Sequence, residues 1–335
     1  MNQRVHAWLA VRAVALLEDT GEAEGLVKLL SPHVKSTFIG TWLPDLNDSK
    51  KGFGKIDNHV LKMEVFEGPL KERFVIKKDK LLKLLGRERR MATELLQSDN
   101  HVLDDEWWGT PFKADPDPGK HLANRAMAFS EAIIDLLLLG DKQLDRLVPG
   151  QIDFVEDLDR KALTRRQQVA TYFFMLSHFI ADACMPCHTD ARALSSYSDG
   201  KIHKELERRW SRRIGTYFDK DKLAENKPTS SAILRESREI SDRLQVDFDA
   251  VVPDLYSRDV WSEVLFVCRC SYAVANLIVP PNDSPRGGAE HKSLKELFPG
   301  DNGEIRLKEF DAAILHDAVL NIAIVWKHIW GRFCR

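Results

Sequence analysis

Within the run His178-x3-Asp182-x5-His188, followed fifteen residues later by His203-x3-Glu207, five imidazole or carboxylate donors fall inside thirty residues. Each x3 interval is about one helical turn, so His178/Asp182 and His203/Glu207 can each present two ligands from one helix face. Nitrogen and carboxylate oxygen, with no obligatory thiolate, suit zinc in a hydrolytic rather than a structural setting. His188, His203 and Glu207 would make a site of two histidines and one carboxylate, with a coordination position left for water. Taken singly, either pair reads more simply as a buried histidine hydrogen-bonded to a carboxylate. Two pairs with His188 between them, after Pro186, point instead to metal. His6, Asp45 in a polar turn after a proline, and His59 fourteen residues further on could supply further ligands, although each alone reads more simply as a solvated or capping residue.

Helical periodicity dominates the chain that must position these groups. Helices are expected near 4–18, 80–97, 119–140, 161–184, 200–214, 232–248, 258–279 and 308–332, so the fold class is all-α. Turn-rich breaks fall at 43–48, 113–119 and 280–288. The expected organisation is one helical domain over 1–335 with an insertion at about 62–98. That insertion holds a short β-like run, Arg73-Phe74-Val75-Ile76, and a basic stretch from Lys77 to Arg90, read mainly as a solvated face.

A chain of 335 residues can bury a large core. Its formal net charge of −2 lacks the strong basic excess of a duplex-DNA binder. Five cysteines do not resemble the dense disulfide framework of a small secreted domain, and a reducing compartment fits them better. The first apolar run, Val5 to Leu17, contains His6 and Arg12 and reads as an amphipathic helix rather than a signal peptide. No run approaches the roughly 20 uninterrupted apolar residues of a membrane span. A cytoplasmic protein without a transmembrane segment is the expectation.

Two other features compete for attention. Cys184-x-x-Cys187-His188 satisfies the attachment pattern for c-type haem, but that reading leaves His178, Asp182, His203 and Glu207 unexplained. The cysteines read better as small packing residues, and Cys268-x-Cys270 as core. Trp107-Trp108 is either a core anchor or an exposed pair that meets lipid or stacks a base.

The order of the donors along the chain resembles the zinc-dependent phospholipase C family, and more distantly the fungal zinc nucleases that cleave single strands and share its fold. His6-Ala7-Trp8-Leu9-Ala10-Val11-Arg12-Ala13 is similar to the family's first-helix histidine segment, and Gly40-Thr41-Trp42-Leu43-Pro44-Asp45 to its aspartate turn. His178 through His188 resembles the histidine-aromatic-x-x-aspartate motif that ends in a proline-x-histidine turn. His203-Lys204-Glu205-Leu206-Glu207 resembles the last ligand motif, and Asp317-Ala318 through Trp326 the terminal helix.

The resemblance implies one zinc held by Asp45, His59, His178 and Asp182, and a second held by His188, His203 and Glu207. A third ion would be held by Asp182, His6 and the chain's N-terminus. The family's mature chains start with tryptophan where this one has Met1, so the third ion is the departure from the pattern. His101 competes with His59 because the stretch 57–61 recurs as 99–103, and the spacing from Asp45 favours His59. The implied activity is zinc-dependent hydrolysis of a phosphodiester in phospholipid or nucleic acid, with Asp45 orienting or deprotonating the attacking water. Peripheral membrane contact would go with a lipid substrate. The terminal glutamate and the short spacing from His188 to His203 resemble the lipases more than the nucleases. A helical binding protein with a degenerate metal set is the alternative of another class.

Overall fold

The structure, a computed structural model, describes residues 2–45, 59–61, 122–138, 165–190, 201–255, 259–278, 294–298 and 300–334. Among these the protein is all-α, with no strand. The helices are α1 (Gln3–Thr20), α2 (Glu24–Leu30), α3 (Val34–Thr37), α4 (Leu122–Leu138), α5 (Arg165–Ala183), α6 (Pro186–Thr189), α7 (Lys201–Ile214), α8 (Lys220–Asn226), α9 (Ser230–Leu244), α10 (Val260–Ile278), α11 (Leu294–Leu297) and α12 (Gly303–Phe333). Two 3-10 segments, Ser31–His33 and Phe38–Asp45, complete the described elements. The expected insertion at 62–98, the helix at 80–97, Trp107-Trp108 and His101 lie outside the described residues.

Two helices are buried on every side and form the axis of the fold. In α1 every residue from Val5 to Leu17 is buried, and its alanines at 7, 10, 13 and 15 leave room for close neighbours. In α12 the buried stretch runs unbroken from Phe310 to Trp326. A helix apolar all round belongs in a core or a membrane. By length and composition α12 would pass for a membrane span, yet 89% of its most apolar window is buried among the other helices. The amphipathic reading of α1 is therefore corrected: α1 has no solvent face along its middle, because α5, α7, α9 and α12 all pack around it.

Helix ends follow local chemistry. Asn2 caps α1 by accepting the Arg4 amide at 3.1 Å, and Gly21 ends it in the left-handed region, φ 68°. Thr229 caps α9 through the Ala232 amide. Specific polar ties then set helix against helix. Trp8 Nε1 donates to the Ser237 carbonyl, and Arg12 Nε donates to Ser241 Oγ at 2.9 Å, fixing α1 on α9. Asp311, wholly buried on α12, accepts from Arg209 Nε at 2.5 Å, Arg213 Nη1 at 2.6 Å and Trp210 Nε1 at 2.7 Å, fixing α7 on α12.

Candidate metal centre

Five helical elements and the stretch 59–61 deliver the eight donors. His6 comes from the second turn of α1, and Asp45 ends the 3-10 segment Phe38–Asp45 rather than standing in an open turn. His59 lies in the stretch 59–61, which is held by the Leu61 amide donating to the His188 carbonyl and the Leu122 amide donating to Val60. His178 and Asp182 share one face of α5. His188 sits on the four-residue helix α6, started by Pro186, whose fixed φ suits a first helical position. His203 and Glu207 lie one turn apart on α7.

Glycine makes one of these placements reachable. A Cβ on Gly40 would stand 2.7 Å from the Thr171 carbonyl oxygen on α5, so only glycine lets the 3-10 segment lie this close. That approach brings the Thr41 carbonyl to 2.7 Å from His178 Nδ1. Trp42 Nε1 donates to the Gln3 carbonyl at 2.9 Å and holds the same segment against the start of α1. Gly40→Ala is therefore expected to cost about 1–3 kcal/mol in urea denaturation, the usual penalty of overpacking, and to weaken metal binding as well.

The carboxylate of Asp182 is the meeting point. Its Oδ2 lies 3.1 Å from His178 Nε2 and 3.1 Å from His59 Nδ1, and its Oδ1 lies 3.2 Å from His188 Nδ1 and 3.5 Å from His6 Nε2. Asp45 Oδ1 approaches the same rings, 3.4 Å from His178 Nε2 and 3.9 Å from His59 Nδ1. Across the site His188 Nε2 lies 3.2 Å from His203 Nε2, which lies 3.0 Å from Glu207 Oε1. Three triads emerge whose donor atoms all lie within 4.8 Å of one another: His6/His178/Asp182, Asp45/His59/His178 and His188/His203/Glu207. All eight sequence candidates among the described residues thus gather at one place.

The donor chemistry fits divalent cations. A carbonyl only accepts, so His178 Nδ1 donates to Thr41, which leaves Nε2 as the nitrogen that could bind a metal ion. Nε2 faces Asp182 Oδ2, Asp45 Oδ1 and His59 Nδ1. Electron-rich atoms gathered this way are reconciled by a shared cation, and a histidine whose other nitrogen is held by a carbonyl is the usual metal ligand. Both nitrogens of buried His6 lack a hydrogen-bond partner, the cost such a group avoids by binding something.

Electrostatics point the same way. Burial lowers His6 well below its ordinary value, helped by His178, and it lowers His188 to about 3 against the pull of Asp182. Both rings are thereby kept in the neutral, ligating form. Burial alone would push Asp182 up, but the hydrogen bond with His178 and the positive potential around the site outweigh it and hold the carboxyl well below the usual range. Glu207 is likewise brought down to about 2 against its burial, with the hydrogen bond from His203 contributing.

The haem-like cysteines play another part. Cys184 and Cys187 are free and buried, and burial together with Asp317 pushes the Cys184 thiol well up, so it packs as a small apolar group. Two contributors escape a reading of side-chain types: the Thr41 carbonyl, which has no side-chain signature, and Asp311, whose grip on α7 crosses about a hundred residues of chain. In comparisons with known proteins, no family model, no curated protein and no solved structure matches the chain.

Proposed function

We propose that the protein is a zinc-dependent phosphodiester hydrolase of the kind its motifs resemble, with His188, His203 and Glu207 holding one ion and Asp45, His59, His178 and Asp182 another. One observation carries this reading: eight donors from six segments of the chain converge into three triads, each with its donor atoms within 4.8 Å of one another. Zinc bound in such a site lowers the pKa of water from about 15.7 toward about 7 and offsets the charge on phosphodiester oxygens.

The chain's own residues divide the remaining work. Asp45 is the exposed member of its triad, whereas His59 and His178 are buried, so its carboxylate stands where solvent and substrate arrive. In this reading it orients an incoming water and takes its proton at a carboxylate oxygen. His203 and Glu207 are also part-exposed, while His6, His178 and Asp182 are closed off from solvent. The buried half of the site serves to bind and the open half to receive substrate.

Turnover of bis-p-nitrophenyl phosphate by zinc-supplemented protein tests the proposal. Activity should vanish with chelator, return with zinc, and fall by at least about 100-fold in His178→Ala, since even loss of a supporting group around a metal costs 10–100-fold. Activity indifferent to chelator and to His178→Ala would reject it.

A further inference from the structure

Helix α7 carries more charge than its metal ligands and core contacts use. Its apolar residues Ile202, Leu206, Trp210 and Ile214 are buried against the fold. Its acidic groups and half of its described basic ones are engaged. Glu205 accepts the Leu294 amide at 2.8 Å, Glu207 faces His203, and Arg209 and Arg213 are held by Asp311, with Glu304 also on Arg209. Lys204, Arg208 and Arg212 are left exposed, and none has an acidic partner among the described residues. Arg212 Nε donates only to the Arg208 carbonyl, at 3.3 Å.

Their spacing makes a single file. Successive four-residue steps place the three cations in one row, each about 6 Å further along the axis. The neighbouring row, one residue earlier in sequence, is His203 and Glu207. A line of positive charge with no acidic partner among the described residues therefore starts beside the part-exposed His203 and Glu207 and leads away from them for about 12 Å.

We propose that this row is a track for the sugar-phosphate backbone of a single-stranded nucleic acid, one phosphate per cation, with the next phosphodiester of the strand delivered to the metal centre. The placement of the scissile bond rests on the hydrolase reading above; the track itself does not. A narrow file of cations matches a linear polyanion. A membrane surface fits less well. An interfacial helix presents an apolar face beside its charges, whereas that face of α7 is buried and, among the described residues, the exposed large apolar ones Leu138, Val251 and Ile305 lie on separate elements. The formal net charge of −2 does not oppose the idea, because the effect is local to one helix.

The test is fluorescence anisotropy of a labelled phosphorothioate oligothymidylate, a strand that resists cleavage, bound to the zinc-supplemented full chain over a series of salt concentrations. The Lys204→Gln/Arg208→Gln/Arg212→Gln variant should melt with the parent, since all three residues are exposed. It should bind about 100-fold more weakly near 50 mM salt, with a salt slope smaller by about 2, the loss of three phosphate contacts on a single strand. Equal binding by variant and parent would overturn the proposal. So would a parent that ignores the strand and binds phosphatidylserine/phosphatidylcholine vesicles instead. Binding is scored without turnover, so this result and the outcome of the phosphodiesterase assay are independent.

Discussion

Asp182→Ala is expected to strip metal from the protein more thoroughly than any other single substitution, lowering affinity by more than about 100-fold and abolishing phosphodiester turnover. The reason is position. One carboxylate meets four imidazoles, those of His59 and His178 on one oxygen and those of His188 and His6 on the other. Its loss removes a ligand from the His6 and His178 side and, at the same time, the group facing His188 Nδ1, whose Nε2 belongs to the second triad. Both triads should therefore lose affinity, whereas His203→Ala should affect only the triad on α7. Titration calorimetry with zinc on the metal-free variants separates these outcomes. Equal losses from the two substitutions would show that Asp182 does not link the sites.

Asp311→Ala should give the largest loss of stability, about 3–5 kcal/mol, the range found when one partner of a buried ion pair is removed. Burial pushes the Asp311 carboxyl up against the pull of Arg209, Arg213 and the Trp210 hydrogen bond, so the carboxylate is kept buried at a cost that only these partners offset. Alanine would leave two mostly buried guanidiniums and the Trp210 indole N–H facing a void. The loss should reach the metal centre too, because the residues Asp311 grips follow directly after His203 and Glu207 on α7. Urea denaturation read alongside zinc affinity measures both effects. A loss below about 1 kcal/mol would show that α7 is held by its apolar face alone.

Much of this architecture was legible in residue order, for reasons visible in particular elements. Helices α4, α5, α7, α9, α10 and α12 each exceed three turns and carry enough periodicity to be found, within a few residues at their ends. Helices α2, α3, α6, α8 and α11 span seven residues or fewer, too short for a hydrophobic period to register. The donors of α5 and α7 announced themselves through one-turn spacing. His6, Asp45 and His59 could be nominated from motif order, but their convergence depends on long-range contacts that no local pattern encodes. Gly40 against Thr171 is one such contact, and the Leu61 amide on the His188 carbonyl is another. The cationic row of α7 was readable in the sequence as well, since Lys204, Arg208 and Arg212 are evenly spaced. What hid it was Arg209 and Arg213 beside it: only the fold shows that these two are consumed by Asp311 while the other three are not.

Whether these eight side chains hold ions decides what the site can do. Elemental analysis of protein purified without exposure to chelators tests this most directly. The proposed reading predicts at least two zinc ions per chain, falling below one in Asp182→Ala; a parent protein that carries none, and takes up none from micromolar zinc, would contradict it.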